Sequence, residues 1–200
     1  MQLFPERNKR ADGNIILNDD RQDALAAILE DSPQNNYVIL GEPGIGKTVL
    51  LFEAFDKFME REPTGYLSND NFNELIHKSL GLRMFYDDLP ENELLCDAIE
   101  ASDVSGLIVS SREVDWNNLP SGIRDKFIPL VITKFNNQQM YDVCKSMLTF
   151  SGINFSNGAL EMLVEYADGS PIYVYSMIKE LKSKQITRLQ DEYIKNNFII

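Results

Sequence analysis

The stretch Tyr37-Val38-Ile39-Leu40-Gly41-Glu42-Pro43-Gly44-Ile45-Gly46-Lys47-Thr48-Val49-Leu50 decides how this chain is read. Four apolar residues form a strand, a glycine-rich loop follows, and a helical pattern begins at Lys47. The loop satisfies G-x-x-x-x-G-K-[ST] at every fixed position, in the strand, loop, helix context that gives the motif physical meaning. Its glycines let the backbone curl with N–H groups pointing inward, and the emerging helix turns the positive end of its dipole toward the same anion. Residues Glu42 to Val49 would therefore cradle phosphates. Lys47 would reach the β- and γ-phosphates, and the Thr48 hydroxyl would ligate Mg²⁺.

Moving outward, strands and helices alternate. Ile15-Ile16-Leu17 form a short apolar segment, and a helix follows through about Glu30, with Leu25, Ile28 and Leu29 on one face. Asp31-Ser32-Pro33 ends it, because proline cannot continue the helical ladder. The helix from Lys47 to about Glu60 carries Leu50, Phe52, Ala54, Phe55 and Phe58, a broad apolar surface suited to packing on a sheet. A strand at Thr64 to Leu67 precedes a helix containing Phe72, Leu75, Ile76 and Leu80. Further strands are expected at 82–86, 106–109 and 127–132, with a helix through Leu94 and Ile99 and a polar loop around Trp116, Pro120 and Gly122. Pro129 predicts an edge or strand-end position for the fifth strand. Strands separated by helices of this length run mostly parallel. From Asn136 onward the stripes are helical: one of Met140, Val143, Cys144, Met147 and Leu148, one of Leu160, Leu163 and Val164, one of Ile172, Tyr175, Ile178 and Leu181, and a fourth helix toward Asn197. Pro171 opens the third of these at a favourable first-turn position. The expected division is an α/β nucleotide-binding domain over 1–134 and a helical lid over 135–200.

Composition narrows the partners. The 200 residues are 44% hydrophobic, enough for a packed core, and 19 Lys+Arg against 31 Asp+Glu give a net charge of −12. Broad attraction to nucleic acid is not supported by that balance. No run of 18 apolar residues suggests a membrane span, and the start lacks a secretion pattern, so a cytoplasmic location is the default expectation. Cys96 and Cys144 stand alone in helical patterns and read as buried thiols. His77, the single histidine, reads as a helix residue without a second ligand near it in sequence.

Binding becomes hydrolysis only with a metal holder and a group that orients water. Asp87 and Asp88 end a strand, and in parallel α/β sheets ligands gather beyond the carboxyl ends of the strands. Asp87 is the expected Mg²⁺ holder, and Asp88 the group that polarises the attacking water. Ser110, Ser111 and Arg112 end the next strand, where a hydroxyl would bond the γ-phosphate or the water and an arginine would sense phosphate charge. Arg124 precedes the fifth strand, placed to project from one subunit into a neighbour's nucleotide.

With these residues assembled, the chain resembles the AAA+ ATPases and their relatives the STAND signalling ATPases, in particular the archaeal and origin-recognition-type branch. Gly41 to Thr48 is similar to Walker A, and Met84-Phe85-Tyr86-Asp87-Asp88 to Walker B, with a second acid that is Asp, as in STAND members. Ser111-Arg112 resembles the sensor 1 region. Asp20-Arg21 followed by Leu25 resembles the segment that encloses the adenine, and Gly169-Ser170-Pro171 resembles the glycine-x-proline motif whose proline approaches the base. The resemblance implies a three-layer P-loop fold with a five-stranded parallel sheet in the order 5-1-4-3-2, a helical lid, and ATP or ADP with Mg²⁺ as cofactors. It also implies a protein partner or self-association. Adenine rather than guanine rests on this resemblance, beside the absence of an Asn-Lys-x-Asp motif. Ile172 and Tyr173 stand where AAA+ members usually carry a lid arginine, which points toward a nucleotide-operated switch rather than a vigorous motor. The alternative is a DNA-associated loader whose DNA-binding domain lies outside this chain.

Overall fold

The structure is a computed structural model that describes residues 18–32, 34–61, 63–67, 82–89, 93–101 and 104–198. The expected segment at 15–17, the expected helix around Phe72 to Leu80 and His77 fall outside those residues.

The chain divides into two units, one from 19–42 and 47–132, the other from 43–46 and 133–198. In the first, α1 (Asp19–Glu30) leads to β1 (Tyr37–Leu40), α2 (Lys47–Met59), β2 (Thr64–Tyr66), β3 (Arg83–Tyr86), α3 (Glu93–Ala101), β4 (Leu107–Ser111), α4 (Glu113–Asn117), α5 (Ser121–Arg124) and β5 (Ile128–Val131). All pairings among the five strands are parallel, in the order β2-β3-β4-β1-β5. This is the expected 5-1-4-3-2 order read from the other edge. The segment around Trp116 and Gly122, expected as loop, forms two short helices of five and four residues. Elements that short cannot carry a readable apolar period.

Strands β1, β3 and β4 are buried at every position. Alternation sends Val38, Leu40, Met84, Tyr86, Leu107 and Val109 to one face, where they pack with Cys96, Ile99, Trp116, Ile123 and Phe127. On the other face α2 lays its aromatics on the sheet: the Phe55 ring meets Phe85 edge-on at 5.4 Å and Tyr66 at 6.1 Å. Pro129 lies on the edge strand. Ile128 N–H donates to Asn36 O and Ile132 N–H to Leu40 O, both at 2.9 Å. Residue 129 between them faces away from β1, so its missing N–H costs the ladder nothing.

The opposite end of the sheet from the loop is tied by two buried polar residues. Asn36 donates from Nδ2 to Val104 O (2.8 Å) and Lys126 O (3.1 Å) and accepts from Leu107 N–H at 2.8 Å. The buried Arg83 guanidinium donates to Ser32 O (3.0 Å) and Asp31 O (3.3 Å) and lies 4.8 Å from the Phe58 ring centroid. Beside it the Tyr37 hydroxyl donates to the Asp31 carboxylate. Burial first, and that carboxylate second, push the Tyr37 phenol up to about 12.

The second unit packs α6 (Asn137–Phe150), α7 (Asn157–Ala167), α8 (Pro171–Ser183) and α9 (Asp191–Asn197) around Met140, Leu148, Leu160, Leu163, Val174 and Leu181. Asn136 caps α6 with a reciprocal Asn136–Gln139 capping box. A two-residue parallel pair joins β6 (Asn154–Phe155) to β7 (Arg188–Leu189). It is too short to show an alternation in sequence. Gly169, at φ +71, passes so close to Phe135 O that a Cβ would meet it at 2.5 Å. Residues 43–46 cluster with this unit: Ile172 N–H donates to Gly44 O at 3.3 Å, and a Cβ on Gly44 (φ +78) would meet Ile172 Cγ2 at 2.4 Å. Both cysteines are free and buried, and burial pushes the Cys144 thiol up to about 12.

Candidate functional site

The carboxyl ends of β1, β3 and β4 lie side by side, so the residues that leave them are brought together by register alone. Leu40 pairs with Ser111 and Tyr86 with Val109, which places Asp87 next to Ser110 one step further along. After β1 the chain turns through Gly41–Gly46 into α2, and Lys47 and Thr48 stand in that helix's first turn. Gly44 and Gly46 adopt φ of +78 and +105, conformations that side chains rarely allow.

Lys47 is almost wholly buried, and its Nζ donates to Gly41 O (2.9 Å) and Glu42 O (2.8 Å). Burial lowers its pKa, while Asp88 and then Asp87 oppose that shift. The ammonium is thus held on loop carbonyls, with two carboxylates in electrostatic reach. A phosphate in the loop would add charge that favours the protonated amine.

Thr48 Oγ1 lies 2.9 and 3.1 Å from the two Asp87 carboxylate oxygens. Ser110 Oγ donates to Asp87 Oδ1 at 2.5 Å and accepts from Asp88 N–H at 3.0 Å. One hydroxyl therefore bridges the two acids. Asp88 itself sits at φ +58, a left-handed conformation that Asp tolerates better than most residues. A hydroxyl and a carboxylate at this separation are hard oxygen donors of the kind Mg²⁺ takes alongside phosphate oxygens and water. The donor set fits that ion.

The remaining predicted positions fall around this cluster. Ser111 is buried, but its Oγ donates to Arg112 O (3.1 Å), so the hydroxyl joined to the acids is that of Ser110. Arg112 is exposed, and its Nε donates to the Asp115 carboxylate. Ile45 is buried, Pro43 and Glu42 are exposed, and Val49 is half-buried on α2. Arg21 is buried on α1, 3.3 Å from Asp20 Oδ1, and burial lowers its pKa. Arg124 ends α5, with its Nε buried and no hydrogen-bond partner among the described residues. Pro171 opens α8 in the second unit.

Neighbouring serines were not separable by sequence, since both end β4. The usable signal was strand alternation, which gives adjacent residues opposite directions.

A parallel sheet ordered β2-β3-β4-β1-β5, with a glycine-rich loop between β1 and α2 and acids after β3, defines an α/β P-loop fold of the AAA+ type. Solved structures share it. A Thermotoga maritima RuvB structure, described as a Holliday junction branch migration motor, matches with TM-score 0.67 and 19% identity over 90% of this chain and 68% of that one. A second RuvB structure, an A156S mutant, gives 0.70 and 18% over 95% and 72%. Domain III of the Thermotoga maritima replication initiation protein DnaA gives 0.66 and 15% over 86% and 87%. At these identities the likeness is one of fold. No family model and no curated protein matches the sequence.

Proposed function

We propose that this chain binds Mg·ATP, hydrolyses it to ADP and phosphate, and uses the nucleotide state as a conformational switch of the AAA+/STAND kind. The observation that carries the reading is the Thr48, Asp87, Ser110 cluster beside a buried Lys47. Loop N–H groups and Lys47 would hold the phosphates, and Thr48 with Asp87 would hold Mg²⁺, which when bound neutralises charge on the β- and γ-phosphates. Asp88 would accept hydrogen bonds from the attacking water, and Arg112 would answer to the γ-phosphate. Arg21 would contact the base, and Ser111 would stiffen the turn that carries Arg112. Arg124 would serve a neighbouring subunit if the chain self-associates.

Steady-state phosphate release tests the reading. Wild type should release phosphate only with Mg²⁺, and Asp88→Asn should bind ATP but turn over at least tenfold more slowly. Tight Mg·ATP binding by a wild type without turnover would leave the switch and remove the hydrolase.

A second reading, a DNA-associated loader, is favoured by the descriptions of the RuvB and DnaA structures. Phosphate contacts strengthen as salt falls. Failure to bind duplex or single-stranded DNA even at low salt would dismiss that reading for this chain.

A further inference from the structure

Arg112 does not stand open toward the nucleotide end of the sheet; it is engaged by a carboxylate three residues further on. We propose that Asp115 is a latch on Arg112, holding the guanidinium until a γ-phosphate displaces it, and thereby sets how strongly the site distinguishes ATP from ADP. The inference rests on the reading of Arg112 as the γ-phosphate sensor.

The local architecture makes one partner fixed and the other mobile. Asp115 sits on α4, which is pinned by its next residue: Trp116 is buried, its ring meets Phe127 edge-on at 5.4 Å, and its backbone N–H donates to Arg112 O at 2.9 Å. Arg112 has an extended backbone at the mouth of that helix and makes no side-chain cap. Its side chain is 55% exposed, against 27% for Asp115. The long, solvated arginine is thus the member that can swing away.

Position links the pair to the site. Arg112 lies two residues beyond Ser110, whose hydroxyl holds Asp87. Both Arg112 and Asp115 are near enough to Lys47 to perturb its ionisation in opposite directions. Energetics permit exchange, because an exposed ion pair of this type is weak. A terminal phosphate offers a multiply charged, fork-matching acceptor. ADP has no group that reaches this position, so it would leave the latch closed.

Competition binding of ADP and of a non-hydrolysable ATP analogue, both with Mg²⁺, tests the latch. Asp115→Asn keeps the side-chain volume at a half-buried position, and circular dichroism would verify its fold. It should tighten the ATP analogue by about two- to fivefold while leaving ADP unchanged, the range expected for releasing an exposed pair. Arg112→Ala should weaken the ATP analogue selectively, and adding Asp115→Asn to it should then change nothing. An unchanged ratio in Asp115→Asn, with Arg112→Ala still selective, overturns the latch and leaves the sensor standing. Weaker ATP-analogue binding in Asp115→Asn also overturns it, since Asp115 would then be aiding the bound state. If Arg112→Ala alters ADP and the analogue alike, the sensor reading fails and the latch fails with it.

Discussion

Ser110 shows how much can depend on one hydroxyl. Because it donates to Asp87 and accepts from Asp88 N–H, removing it takes one hydrogen bond from the Asp87 carboxylate, which Thr48 still approaches, and one from the backbone of Asp88. Ser110→Ala should therefore keep Mg-free nucleotide affinity within about twofold but slow turnover by about tenfold or more, the scale of a lost hydrogen bond to a charged group. Paired titration-calorimetry and phosphate-release measurements check this, and Ser110→Thr should recover part of the loss by restoring the hydroxyl. At the far end of β1, Tyr37 predicts a pH effect. Its phenol is raised to about 12 in the fold against about 10 when unfolded, so its contribution is whole below pH 10 and is lost as pH climbs from about 10 to 12. Urea melts across that window should show a shallower decline for Tyr37→Phe than for wild type. Sequence pointed to the strand end that carries Ser110 and Ser111 but not to which serine faces the acids. That is decided by where the strand's alternation begins relative to its neighbours.

Elements were legible where they were long or uniformly apolar. α1, α2 and the helices from Asn137 to Ser183 carry enough turns for their stripes to show, and β1, β3 and β4 read as short apolar runs because both faces are covered. Asn36 was invisible for the opposite reason. An Asn before a strand reads as turn chemistry, whereas its side chain actually joins segments 68 to 90 residues away. Asn36→Ala would strip the bonds of the Leu107 N–H and of two carbonyls at once. It should destabilise the fold by about 1 to 3 kcal/mol, the cost of leaving the buried Leu107 N–H unpaired. Chemical denaturation would measure it, and an effect below about 1 kcal/mol would mean that water replaces those bonds.

At the scale of the whole molecule, the acidic composition and the proposed phosphate site pull in opposite directions. A net charge of −12 repels a polyanionic nucleotide at long range. On the proposed reading, affinity would come from short-range donors: loop N–H groups, Lys47 and an ion that Thr48 and Asp87 would hold. Two consequences are measurable. Raising salt should weaken nucleotide binding little or even speed association, since screening removes the repulsion. Saturating ATP at about 100 times its Kd should stabilise the protein by about 2.7 kcal/mol, and Lys47→Ala should abolish that gain. If the substituted protein is stabilised equally, nucleotide is bound elsewhere.

Asp88 stands at φ +58, and that backbone constrains which sequences the site can explore. Aspartate and asparagine enter left-handed conformations far more readily than glutamate, so at this position lengthening the acid by one methylene is a conformational problem before it is a catalytic one. Asp88→Asn should thus leave folding stability nearly untouched and report on charge alone, whereas Asp88→Glu should cost stability even though it keeps the charge. A sequence change that brought a glutamate to position 88 would first have to rebuild the turn after β3.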